Sequence, residues 1–97
     1  MKKLVLLFAA SFIYSAIAYP NPFNQTVTIN FSISSDSYVS VVVYNLKGRE
    51  VVSLVNGNYT SGNHHVIWNA DKHSKGVYFI RLISGSHSVT QKLTLVK

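Results

Sequence analysis

The chain has no cysteine, only two prolines and only three acidic residues in 97. Without cysteine no disulfide can staple the fold, and thiolate nucleophiles and cysteine-based zinc sites are excluded. The acids are Asp36, Glu50 and Asp71, isolated from one another and each near a turn or hairpin signal. A catalytic set needs a base beside a nucleophile and an orienting carboxylate. Three scattered acids offer little for that, and none of the serines lies in a nucleophile-elbow setting. No segment after residue 18 shows helical periodicity. Enzymatic activity and a bound cofactor are therefore not expected.

What is present begins with a leader. Lys2 and Lys3 open the chain, Leu4 to Tyr14 is apolar or nearly so, and Ala16-Ile17-Ala18 is a small-x-small cleavage signal. The apolar stretch is shorter than the ~20 residues a membrane-spanning helix needs. Residues 1–18 are thus expected to be a signal peptide and residues 19–97 one exported domain. No transmembrane segment is expected once the leader is removed. No cysteine follows the leader, which excludes a lipid-anchored lipoprotein. In so small a domain without a staple, Trp68 and the other aromatic rings must supply much of the core.

The domain opens on Tyr19-Pro20-Asn21-Pro22-Phe23, where Pro20 and Pro22 enforce an extended or turned entry. Val27, Ile29, Phe31 and Ile33 then alternate with polar residues, as a half-buried strand does. The central stretch, Val39 to Leu54, places two β-branched runs around Asn45-Leu46-Lys47-Gly48, a hairpin signal. Asn45 can form an Asx-type turn and Gly48 can take a positive φ. A two-residue turn would set Val43 opposite Val52. A three-residue loop closed by Gly48 as a bulge would set Val43 opposite Val51, and this loop is favoured because it puts glycine where a left-handed backbone is required.

Residues 56–63 contain two glycines and read as a loop. A strand from His64 to Asn69 follows, with Val66 and Trp68 on one face and His65 and Ile67 on the other. Ala70 to Lys75 reads as polar surface loop. Gly76 opens a strand with Tyr78, Ile80 and Leu82 on one face. Gly85 begins a type II′ turn that pairs Ser84 with His87, Leu82 with Val89, Ile80 with Gln91, Tyr78 with Leu93 and Phe79 with Lys92. Six or seven short strands with such turn spacing point to an all-β fold, a small immunoglobulin-like antiparallel β-sandwich.

The formal charge of the whole chain is +6. The cations beyond the leader are Lys47, Arg49, Lys72, Lys75, Arg81, Lys92 and Lys97, without a run. A nucleic-acid reader would show a clustered basic face, so solubility and mild attraction to anionic surfaces are the expectation. His64 and His65 are adjacent on a strand and point to opposite faces, while His73 and His87 fall in predicted loops. Ordinary imidazoles, not a metal site, are expected. Asp71 near Asn69 fits a turn better than a weak calcium site. Tyr59, Ile67 and Phe79 could form a small contact patch, but the last strand, if at a sheet edge, is the better docking element because an edge offers unpaired backbone groups.

Taken in order, five motifs resemble the C-terminal sorting domain of the type IX secretion system, type A. They are Tyr19-Pro20-Asn21-Pro22-Phe23, the hairpin from Val41 to Val51, Val66-Ile67-Trp68-Asn69, Gly76 to Leu82, and Gln91 to Lys97. The immunoglobulin-like domain of flagellar hook-capping proteins is similar in the middle hairpin and the Gly-x-Tyr strand. The sorting-domain resemblance implies a non-catalytic tag. An outer-membrane translocon would recognise it, and a sortase-like peptidase would remove it and join the cargo to surface lipopolysaccharide. Localisation would pass from periplasm to outer-membrane surface or medium.

In that family the domain follows a long cargo, whereas here it directly follows the leader. Recognition is expected at Gly76, Tyr78, Lys92, Leu93, Leu95 and Lys97. Pro20, Pro22, Asn45, Gly48, Trp68 and Gly85 are expected to serve turns and core. The missing cargo keeps a second reading open, a stand-alone secreted immunoglobulin-like module for adhesion or carbohydrate binding.

Overall fold

The computed structural model describes residues 5–7, 13–19, 22 and 24–96. These form eight strands and, among the described residues, no helix. They are β1 (Val5–Leu7), β2 (Ile13–Tyr19), β3 (Thr26–Ile33), β4 (Ser37–Asn45), β5 (Glu50–Tyr59), β6 (Gly62–Asn69), β7 (Gly76–Ser84) and β8 (His87–Leu95). One sheet has the order β1-β2-β3-β6 and the other β5-β4-β7-β8, and every pairing is antiparallel. The expected small all-β sandwich is what the chain forms. β1 and nearly all of β2 come from the stretch read above as a leader.

Strand alternation explains how the two sheets meet. In β3 the residues at every second position, Val27, Ile29, Phe31 and Ile33, are buried, and so are Val39, Val41 and Val43 in β4. Tyr78, Ile80 and Leu82 of β7 and Val89, Leu93 and Leu95 of β8 complete the facing wall, with Trp68 of β6 closing one end. The chain changes sheet between β3 and β4, between β5 and β6, and between β6 and β7. The entry to β4 is held by Asp36, whose carboxylate accepts a hydrogen bond from the Ser61 amide at 2.7 Å. Ser84 is fully buried, and its hydroxyl lies 2.6 Å from that of Ser37.

The β7–β8 hairpin has the expected register pair for pair, from Ser84 opposite His87 through Tyr78 opposite Leu93. Gly85 has φ +61° and no non-glycine residue among the described ones has positive φ, which leaves Ser86 negative and fits a type II′ turn. The central hairpin loop is the favoured one. The Asn45 amide donates to the Arg49 carbonyl and the Gly48 amide to the Asn45 carbonyl, both at 2.9 Å. The Asn45 side-chain oxygen accepts from the Lys47 and Arg49 amides at 3.0 Å, and Gly48 has φ +82°.

The pairing expected from that loop is corrected one residue further on. Tyr44 faces Glu50 but Val43 faces Val52, and Val41 faces Val55, because Val51 and Leu54 each stand as the extra residue of a bulge. The bulges have a packing reason. Val51, Val52 and Leu54 all touch the core, which strict alternation would deny to some of them.

Two expected loops are also corrected. Residues 56–59 are strand, paired with Ser37–Ser40, because the β4 ladder continues past Gly57 and satisfies their backbone groups. Ala70 is fully buried, and its amide donates to the Gln25 carbonyl at 2.8 Å, so this residue anchors the loop that follows.

Gly48 and Gly57 separate backbone demand from space, since an added Cβ would meet no atom within 4 Å at either. Gly48→Val should cost about 1–2 kcal/mol through its left-handed backbone. Gly57→Ala, at a position outside that region, should be neutral or stabilise by up to about 1 kcal/mol. Urea denaturation of the two variants checks the contrast.

Candidate functional site

The last hairpin decides what a partner can reach. Among the described residues, β8 is the edge of its sheet, with β7 as its ladder neighbour. Its inward residues Val89, Gln91, Leu93 and Leu95 are buried, and Thr90 and Lys92 point outward. Of the residues expected to be recognised, Leu93, Leu95 and Tyr78 therefore have their side chains in the core. The Tyr78 hydroxyl donates to the Ser74 carbonyl at 2.5 Å, and its ring packs edge-on against Trp68 at 5.3 Å. Lys92 is exposed on the outer face, opposite Phe79 in register. Gly76 is half-buried with φ +145° at the start of β7. Lys97 lies outside the described residues.

The residues expected to serve turns fall where their types suit them. Asn45, Gly48 and Gly85 hold their turns as described above, and Trp68 is core. Pro22 lies in an exposed bend, and Pro20 lies outside the described residues.

The outer face of the β5-β4-β7-β8 sheet brings together cations that the linear sequence scatters. A shallow groove of about 300 Å³ is lined by Tyr44, Asn45, Leu46, Gly48, Phe79, Arg81 and Thr90. A second, of about 390 Å³, shares Asn45 and Leu46 and continues over Lys47, Arg49, Lys75, Gly76, Val77 and Tyr78. Leu46 is 71% exposed between them. Four of the six described cations beyond the leader, Lys47, Arg49, Lys75 and Arg81, thus line one continuous surface that reaches the edge strand at Thr90. Its aromatic lining and positive charge suit it to holding an anionic or extended partner by contact and attraction.

The expected patch of Tyr59, Ile67 and Phe79 does not exist as one surface. Tyr59 is the last residue of β5, and its ring packs on Phe31 at 5.7 Å and His64 at 4.8 Å. Ile67 is 56% exposed on the outer face of the sheet opposite to Phe79. His64 is structural, with its ring nitrogen 2.6 Å from the Thr60 carbonyl. The Asn69 side chain accepts a hydrogen bond from the Asp71 amide at 3.0 Å, which is the turn role expected there. Among the described residues no three His, Asp or Glu side chains gather as a metal cluster would require.

A family model described as the secretion system C-terminal sorting domain matches residues 17–96, which include every strand from β3 to β8. No curated protein and no solved structure matches the chain.

Neighbouring positions in β8 separate core from surface. Leu93→Ala should cost about 2–5 kcal/mol. Lys92→Ala should cost no more than about 1 kcal/mol. Thermal unfolding of the two variants distinguishes them, and similar losses would place Lys92 in the packing.

Proposed function

The chain belongs to the secretion system C-terminal sorting domain family, and on that premise we propose that its outer β5-β4-β7-β8 face, with the β8 edge, is the surface the secretion machinery reads. Members of this family are sorting signals for type IX secretion, so the chain engages that machinery and is destined for the cell surface or the medium. The observation that carries the surface assignment is the junction of two features at Thr90. A sheet edge able to accept a partner's strand adjoins a groove lined by Arg81, and a second groove that shares Asn45 and Leu46 with it carries Lys47, Arg49 and Lys75.

The recognition is of backbone and charge, because the apolar residues of β8 are committed to the core. The outer-membrane translocon takes the edge, and the cations favour the anionic lipopolysaccharide among which a sorted protein arrives. A sortase-like peptidase acts on the polypeptide ahead of the sandwich. Residues 1–18 carry the chain across the inner membrane and are cut off after Ala18, so the domain is met in the periplasm. The domain itself is a tag without catalysis.

Charge reversal tests the surface without touching the core. Residues 19–97 would be fused behind a periplasmic reporter in a host with this secretion system. Wild type should deliver the reporter to the surface. Arg49→Glu with Arg81→Glu should leave most of it in the periplasm while unfolding at an unchanged temperature. Delivery of the doubly reversed domain at the wild-type level would overturn the assignment.

A further inference from the structure

The bond after Ala18 lies inside β2. Residues 13–19 pair with β3 from Ile13 opposite Ile33 to Tyr19 opposite Thr28, with Ala18 opposite Ile29. Ala18 is 1% exposed. Its carbonyl accepts a hydrogen bond, at 3.5 Å, from Nε2 of Gln91, itself 5% exposed. A peptidase must draw its substrate into an extended and accessible form, which a strand paired inside a sheet, with Ala18 buried, does not offer. Folding and cleavage therefore compete for the same residues.

If cleavage comes first, β3 loses the strand on one side. Its backbone groups on that flank are left unpaired beside four core residues, Val27, Ile29, Phe31 and Ile33, and Gln91 loses its acceptor. Such an edge is a template for another strand. We propose that the β3 flank is a strand-acceptor site. In the chain with its leader it is filled by residues 13–19. In the chain cut after Ala18 it takes an extended, uncharged segment of another polypeptide, with a small side chain in the place of Ala18. This rests on the leader reading above.

Three observations define the occupant. The strand now in place is antiparallel and ladder-bonded to β3, so a replacement strand in the same register would be held mainly through its main chain. The burial of Ala18 leaves room for a methyl-sized group opposite Ile29. The Gln91 amide is aimed at a main-chain carbonyl, so it recognises a strand and not a particular side chain. The family match begins at residue 17, within β2, so most of this strand lies ahead of what the family shares.

The test has two arms. In the first, signal peptidase is given the full chain folded and unfolded. The expected result is cleavage after Ala18 in the unfolded chain and none in the folded one. Equal cleavage of both would overturn the closed β2. No cleavage of either would defeat the leader reading, and with it the opening of the flank in this chain.

The second arm does not depend on the leader. Ala18→Asp in the full chain places a charge in the buried position and should expel residues 13–19. A synthetic peptide of residues 13–19 should then bind and protect β3 amides from exchange, while the wild-type chain binds it far less. Adding Gln91→Leu should weaken the peptide about 2- to 12-fold. If Ala18→Asp unfolds the chain, the peptide should restore the β signal. Failure to bind or restore, or a dimer of the variant that excludes the peptide, would overturn the proposal.

Discussion

The contact on which everything else depends is the wall of Val39, Val41 and Val43. All three are fully buried, on the one strand that pairs with both β5 and β7. With no disulfide, the sheets are held mainly by burial, and β4 is the element both halves of its sheet must register against. The β-branched side chains suit this role, since they pack well on a pleated surface. Opposite them Phe31, Ile29 and Val27 form the second layer, so the sandwich is a lamination of two alternating strands and their neighbours.

That lamination sets what remains for recognition. Apolar side chains are used inward, and Leu93, Leu95 and Tyr78 have no free surface to show a partner. What β8 leaves outside is backbone at the sheet edge and the polar side chains of its outer face. A tag that must be read on many different cargoes gains from this division, because edge bonding and charge attraction are indifferent to what the tag is attached to. The same logic runs through the β3 flank, where a buried glutamine amide contacts a main-chain carbonyl. In this proposal the vacated β3 flank would lie on the same side of the sandwich as the β8 edge, since β2 stacks on β8.

Much of this was legible in the residues, and the exceptions have physical causes. The β7–β8 pairing could be read pair by pair because a two-residue turn with glycine first admits one register. The β4–β5 loop could be read for the same reason, but the ladder beyond it could not. Val51, Val52, Leu54 and Val55 are too uniformly apolar to mark which face each takes, and bulges resolve the crowding. Gly57 read as loop because glycine is a weak strand former, yet pairing with β4 overrides that preference. The cationic grooves could not be read because the β4–β5 loop with Lys47 and Arg49, Lys75 ahead of β7 and Arg81 within β7 meet only in the fold. The motif puts Leu93 and Leu95 among the recognition residues, whereas strand alternation from Val89 and Gln91 points them inward. The strand capacity of residues 13–19 was hidden by their resemblance to a leader, since an apolar stretch with small residues satisfies both requirements.

The central claim is that the machinery reads a folded two-layer surface. The direct measurement is surface delivery of a reporter fused to the domain carrying Val41→Asp, which puts a charge into the centre of the wall. Delivery should be lost together with the β signal of the isolated domain. A domain shown to be unfolded that still delivers its reporter as efficiently as the intact one would contradict the account.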